Sequence, residues 1–282
     1  MLNHSQITGV TVNLCSVGAA ADSLREFEAR CRKIAEQASS YGPVDEAYLG
    51  SEFCIHKLMA IPKDILLEKI AFLKVLQLRV LIMLPVIPER NWNYFMKFAS
   101  EISGCTDGFV CNDWGTLIFL RRNYPNKKIV AGRLFEKGLR ECRMEYGDVD
   151  ENLARWTEKI APTDMESAYL HLFTAYGISQ AETDTPMNGS LKLADRIGFR
   201  VHYPRIYLSH SAICEFALGQ GSASLCGMPC ARYGKCISTD RGFGIYKIEN
   251  CICAKQERRL EELVEGTYRL VYSPLLEVCQ LL

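Results

Sequence analysis

The chain has 282 residues with 33 basic and 33 acidic side chains, so its formal net charge is zero. That balance does not indicate a broadly cationic nucleic-acid surface, although it leaves room for a local basic patch, and a hydrophobic share of 48% allows a sizeable core. The longest apolar run, VLIMLPVI (80–87), is broken by Pro85 and is too short to cross a bilayer. The first residues, MLNHSQITGV, lack the basic-then-apolar order of an export signal, so a cytoplasmic location is expected.

Strand-like and helix-like runs alternate along the chain. ITGVTVNL (7–14) leads as a strand, and AADSLREFEARCRKIAEQAS (20–39) follows as an amphipathic helix. Leu24, Phe27, Cys31, Ile34 and Ala38 share one face at helical spacing, and Asp22 or Ser23 is placed to cap the start. VDEAYLG (44–50) is the second strand, PKDILLEKIAFLKVL (62–76) the next helix and RVLIML (79–84) the third strand. NWNYFMKFASEI (91–102), GFVC (108–111), KIVAG (128–132), ISQAET (178–183) and VHYPRIYL (201–208) continue the alternation. Seven strands with crossover helices predict an open or incomplete (β/α) barrel of the α/β class, with parallel strands. No glycine fingerprint follows the first strand, which argues against a doubly wound dinucleotide fold. After residue 210 the composition shifts to Cys, Gly and polar residues. Residues 1–210 are therefore expected as the barrel-like domain and 211–282 as a cysteine-rich extension packed on its end, with GFGIYKIENCICA and TYRLVYS as short strands.

In such barrels the chemistry sits at the C-terminal ends of the strands. Cys15 and Ser16, Glu52 and Cys54, Cys111, Asn112 and Asp113, Arg133, Glu182 and Asp184, and Ser209, His210 and Cys214 all occupy such positions. Asp113 and Glu182 are candidate acids or bases, with helix capping and a loop hydrogen bond as the competing roles. Arg133 is a candidate partner for a substrate carboxylate, against a structural ion pair. RRNYPNKK (121–128) reads as a helix end and turn, so nucleic acid is not indicated as a ligand.

Thirteen cysteines in a chain without an export signal point to metal binding or burial more than to disulfides. Cys31, Cys142 and Cys279 read as structural. Cys214, Cys226 and Cys230 lie together in CEFALGQGSASLCGMPC (214–230), and Cys54 stands alone after the second strand. Barrel geometry would bring Cys54 to the same mouth, supplying four thiolates for a [4Fe–4S] cluster. Zinc is the competing metal, with Cys226, Cys230, Cys236 and Cys251 as a local set, although the gaps are not the usual paired short spacings. A role for Cys236, Cys251 and Cys253 at a metal stays open.

YLGSEFCIHK (48–57), CNDWGTL (111–117) and CEFALGQGSASLCGMPC (214–230), in that order, resemble the collagenase-like peptidase family, in particular its UbiV-type members and more loosely its UbiU-type ones. The resemblance spans about residues 7–255 and implies a (β/α)-barrel-type fold. It also implies an oxygen-labile [4Fe–4S] cluster on Cys54, Cys214, Cys226 and Cys230, with Asn112, Asp113 and Gly115 as pocket residues. It further implies oxygen-independent hydroxylation of a ubiquinone precursor or of RNA bases, with prephenate as the oxygen donor, and a heterodimer with a UbiU-like partner. The chain departs from the family in a Cys214–Cys226 gap one residue shorter, in CIHK (54–57) where CSKR is common, and in the added Cys236, Cys251 and Cys253. A peptidase would need a nucleophile–base pair or a zinc motif such as H-E-x-x-H, and neither is evident in the sequence. A noncatalytic protein with a structural zinc is the remaining alternative.

Overall fold

The computed structural model describes residues 5–15, 23–135, 168–186, 190–193, 197–211, 235–238, 244–248 and 250–274. Seven parallel strands form where the alternation places them: β1 (Ser5–Asn13), β2 (Val44–Gly50), β3 (Arg79–Leu84), β4 (Gly108–Cys111), β5 (Lys128–Ala131), β6 (Gln180–Asp184) and β8 (Gly198–His210). Each pairs with the next in parallel register. The barrel is not open. An eighth strand, β12 (Val264–Ser273), runs parallel to both β1 and β8 and closes the cylinder.

This closing strand contains TYRLVYS, which the composition assigns to the extension. Its mixed pattern hides its place because its two faces meet different surroundings. Tyr268 and Leu270 pack outward toward the helices, whereas Val271 joins the interior with Tyr48, Leu81, Met83, Val110 and Val130. The barrel therefore takes strands from both sides of residue 210.

β8 belongs to two structures at once. Residues 198–204 lie in the barrel between β6 and β12, while Arg205–His210 pair antiparallel with β11 (Cys251–Lys255). β10 (Gly244–Ile248) and β9 (Lys235–Ser238) extend that patch by antiparallel pairing. The remaining strand, β7 (Leu191–Lys192), pairs with the first residues of β12.

Helices cover the outside. In α1 (Leu24–Ser39), Ser23 and Glu26 form a reciprocal capping box, and Phe27, Cys31, Ile34 and Ala38 are buried as the spacing predicts. α3 (Lys63–Val75) packs beside α1, and α4 (Trp92–Ile102) buries Phe95, Phe98, Ala99 and Ile102. Strands enclosed on both faces explain the unbroken apolar run in RVLIML, whose last five residues are all buried.

Candidate functional site

A packed barrel interior is usually filled by branched apolar side chains. Here that holds along β3, β4 and β5, at Leu81, Met83, Val110 and Val130, and at Val271 of β12. β1, β2 with the turn after it, β6 and β8 instead send polar side chains inward: Thr11, Asn13, Glu46, Glu52, Glu182, Asp184, Arg200 and His202 are all buried.

At the N-terminal end, Glu46 gathers the cations. Arg200 grips both of its oxygens, Lys128 Nζ lies 3.2 Å away and the Thr11 hydroxyl donates at 2.9 Å. Burial alone would raise the Glu46 carboxyl, but Arg200, Lys128 and Arg269 outweigh it and hold the group at about 2. Arg200 also donates to the Tyr48 hydroxyl (2.6 Å) and to Gln180 (2.9 Å).

At the C-terminal mouth, Gly50 ends β2 at φ +102°, a backbone open to glycine, and a Cβ there would lie 2.5 Å from the Met83 carbonyl oxygen. The turn carries Glu52 inward between two arginines. Arg133 lies 2.5 Å from one carboxylate oxygen and Arg205 2.8 Å from the other. Arg133 also pairs with Asp184 at 2.6 Å and sits over the faces of Phe53 and Tyr207. Asn112 ties the loops together, donating to the carbonyls of Glu52 (3.2 Å) and Leu84 (3.0 Å) and accepting from the Leu134 amide. A Cβ on Gly132 would collide with the Asn112 side-chain oxygen, so the glycine makes room for that tie. The charges are not fully satisfied: the Nε atoms of Arg133 and Arg205 lack a hydrogen-bond partner among the described residues. Buried donors in that state are costly, on the order of 1–3 kcal/mol each.

Between the two ends lies a third group. His202 Nε2 is 3.1 Å from Glu182 Oε2, and His202 Nδ1 is 3.0 Å from the Ser273 hydroxyl. Asn13 donates to Ser273 (3.2 Å) and reaches Glu52 at 3.4 Å. Burial raises Glu182 to about 7, against the lowering influence of Tyr48, Arg200 and Arg133. Burial and the nearby Arg133 depress His202 to about 3, so its ring is neutral at ordinary pH.

The expected site residues thus divide. Arg133, Glu182, Asn112, Glu52 and Asp184 converge on the barrel axis and its mouth. Asp113 does not join them. It caps α5 (Trp114–Asn123), accepting from the Thr116 amide (2.7 Å) and hydroxyl (2.6 Å) and from the Ile87 amide (3.1 Å). Arg133, read as a partner for a substrate carboxylate or as a structural ion pair, is engaged by two carboxylates of the protein itself. Four participants escape a reading of the sequence: Asn13, His202, Arg205 and Ser273. Ser273 could be found only by recognising β12 as a barrel strand, and His202 by placing Arg200 and His202 on the inward face of a longer β8.

Cys54 is buried at the mouth, as N-cap of the short helix α2 (Ile55–Ala60). Asn250 joins this corner to the end of β8: its amide donates to the Phe53 carbonyl (2.9 Å) and to the Ser211 carbonyl (2.8 Å), and its own carbonyl accepts from the Ser211 amide. Cys214, Cys226 and Cys230 lie outside the described residues, and for Cys236 only the strand is described. Cys251 and Cys253 face each other across 3.2 Å beside Phe53, Leu134 and Tyr207. The hydrogen bond from Cys251, with help from Arg205 and Arg133, lowers Cys253, while burial raises Cys251. Among the described residues no group of three or more His, Cys, Asp or Glu side chains is disposed to hold a metal ion, and no helix is long and apolar enough to cross a membrane. The chain matches no protein-family model, no curated protein and no solved structure.

Proposed function

We propose that this chain is a cytoplasmic [4Fe–4S] protein resembling the UbiV-type members of the collagenase-like peptidase family. In this reading it takes part in oxygen-independent hydroxylation of a small molecule, such as a ubiquinone precursor, together with a UbiU-like partner subunit. The observation that carries the reading is the Asn250 bridge. One amide group binds the carbonyls of Phe53 and Ser211, so the residue before Cys54 and the residue three before Cys214 are neighbours. Three residues of chain reach at most about 11 Å, so that span starts beside Cys54. The donor chemistry agrees, because Cys54, Cys214, Cys226 and Cys230 offer four soft thiolates, the usual set for such a cluster. Cys54 itself is sheltered, at 8% exposure, as an oxygen-labile group requires.

When bound, the cluster would supply one-electron transfer at the mouth. The chain's own residues do the rest. Glu52, Arg133 and Arg205 would set a fixed pattern of charge beside it, and Phe53 and Tyr207, stacked with centroids 5.4 Å apart, would cover it from water.

The test is anaerobic purification followed by iron and sulfide analysis and EPR, on the wild type and on Cys54→Ser. We expect about four irons per chain in the wild type and loss of most of that iron in a variant that keeps its circular dichroism. A folded wild type carrying one zinc and no iron would replace this reading with the structural-zinc one. Peptide cleavage that survives iron chelation and is abolished by Cys54→Ala would favour the peptidase.

A further inference from the structure

We infer that Glu182, His202 and Ser273 form a proton relay through the barrel interior, with the Ser273 hydroxyl as its outlet at the C-terminal mouth. The three side chains come from β6, β8 and β12, and successive contacts of 3.1 Å and 3.0 Å join them through opposite nitrogens of one imidazole ring. All three are buried, so their polar atoms have only one another and their protein neighbours. Both Glu182 oxygens and His202 Nε2 lack a well-aligned hydrogen bond among the described residues in the resting geometry. An ionised carboxylate facing an unprotonated ring nitrogen at 3.1 Å would be two acceptors in contact. One proton between them removes that conflict.

The groups facing this pair fix where the proton rests. Around Glu182 stand Tyr48 from β2, Arg200 from β8, Arg133 after β5 and Asp184 from β6. Around His202 stand Arg133, Arg205, Glu52 and Asp184. The ring is too buried and too close to arginine to become a cation, whereas the carboxyl readily holds a proton. In the resting state, then, the Glu182 acid faces Nε2, and the ring's Nδ1–H donates to Ser273.

Transfer conserves every proton. The Glu182 proton passes to Nε2, the Nδ1 proton passes to the Ser273 oxygen, and the Ser273 hydroxyl proton passes to a lone pair on a ligand in the mouth. Glu182 ends ionised, and the ring ends as its other neutral tautomer, never charged. Asn13, donating to Ser273, positions the outlet beside Glu52. The ligand class this serves is a small molecule that presents a proton-accepting oxygen at the mouth. The relay does not depend on the iron–sulfur reading: it involves none of the four thiols and is measured on the protein alone.

The experiment follows the ring tautomer of His202 by 15N NMR and the Glu182 carboxylic-acid band by infrared difference spectroscopy, across pH. We expect the band to disappear and the ring proton to move from Nδ1 to Nε2 with one shared midpoint near pH 7. Glu182→Gln should lose both signals. Ser273→Ala should keep the acid band while exchange of the ring proton with solvent slows. The proposal is overturned if His202 becomes an imidazolium over that range, if one tautomer persists while the carboxyl titrates, or if Ser273→Ala leaves exchange unchanged.

Discussion

The two ends of the barrel hold buried charge in opposite ways. At the N-terminal end each oxygen of Glu46 meets a guanidinium, with Lys128 and Thr11 completing the shell, and the carboxyl is held far below its usual range. At the C-terminal end and along the axis the same residue types are left incomplete. Among the described residues Arg133 Nε and Arg205 Nε lack hydrogen-bond partners, neither oxygen of Glu182 has a well-aligned one, and Glu182 is pushed up instead of down. A saturated ion pair secures strand register, whereas an unsaturated one keeps groups ready for something that arrives later. The difference follows the general division of such barrels into a stability face and a reaction face.

The largest expected effect is at the N-terminal end. Arg200→Met leaves Glu46 buried with Lys128 as its remaining strong partner and should cost about 3–5 kcal/mol in urea unfolding at neutral pH. Its sign with pH is also set. A depressed folded-state carboxyl contributes stability above its unfolded value of 4.5 and loses it as pH falls toward 2. The variant should flatten that acid limb, and a loss under about 1 kcal/mol would erase the distinction between the ends.

Glu182→Gln should act in the opposite direction. A raised folded-state carboxyl binds more protons folded than unfolded between pH 4.5 and about 7, so the wild type loses stability as pH rises through that window. The glutamine variant should not, and above pH 7 it should be more stable than wild type by about 2–3 kcal/mol. A destabilised variant at pH 8 would show that Glu182 is a structural acid after all. The smallest effect is expected for Asp113→Ala, which removes a helix cap and the hold on the Ile87 amide for about 1 kcal/mol. It should leave the Glu182 titration unmoved, and a changed titration would return Asp113 to the reacting groups.

Much of this architecture is legible in the residues. Strands enclosed on both sides need continuous apolar runs, as RVLIML and GFVC supply, and these two and VDEAYLG coincide with β3, β4 and β2 to the residue. The closing strand is not legible, because TYRLVYS alternates as an exposed strand would. Nothing local says that its polar positions, Arg269 and Ser273, point into a barrel lined on that side by other polar groups. The site is half legible for the same reason. Strand-end position finds Glu52, Asn112, Arg133, Glu182 and Asp184, but an acid that caps a helix and an acid that faces the axis look alike in sequence, as Asp113 and Glu182 do. His202 and Arg205 stay hidden because β8 continues past the barrel, so its midpoint, and not its end, marks the mouth.

β12 follows every other barrel strand in the chain, yet it must lie between β1 and β8. During synthesis the cylinder stays slit along its length until residues 264–273 emerge, with β1 and β8 each presenting a bare row of amides and carbonyls. Ser5 meets Gly266 only at that last stage. The nascent protein therefore passes through a long interval in which two sticky edges must be kept from neighbouring polypeptides, and a ribosome that stops short of residue 264 releases a product that cannot seal itself.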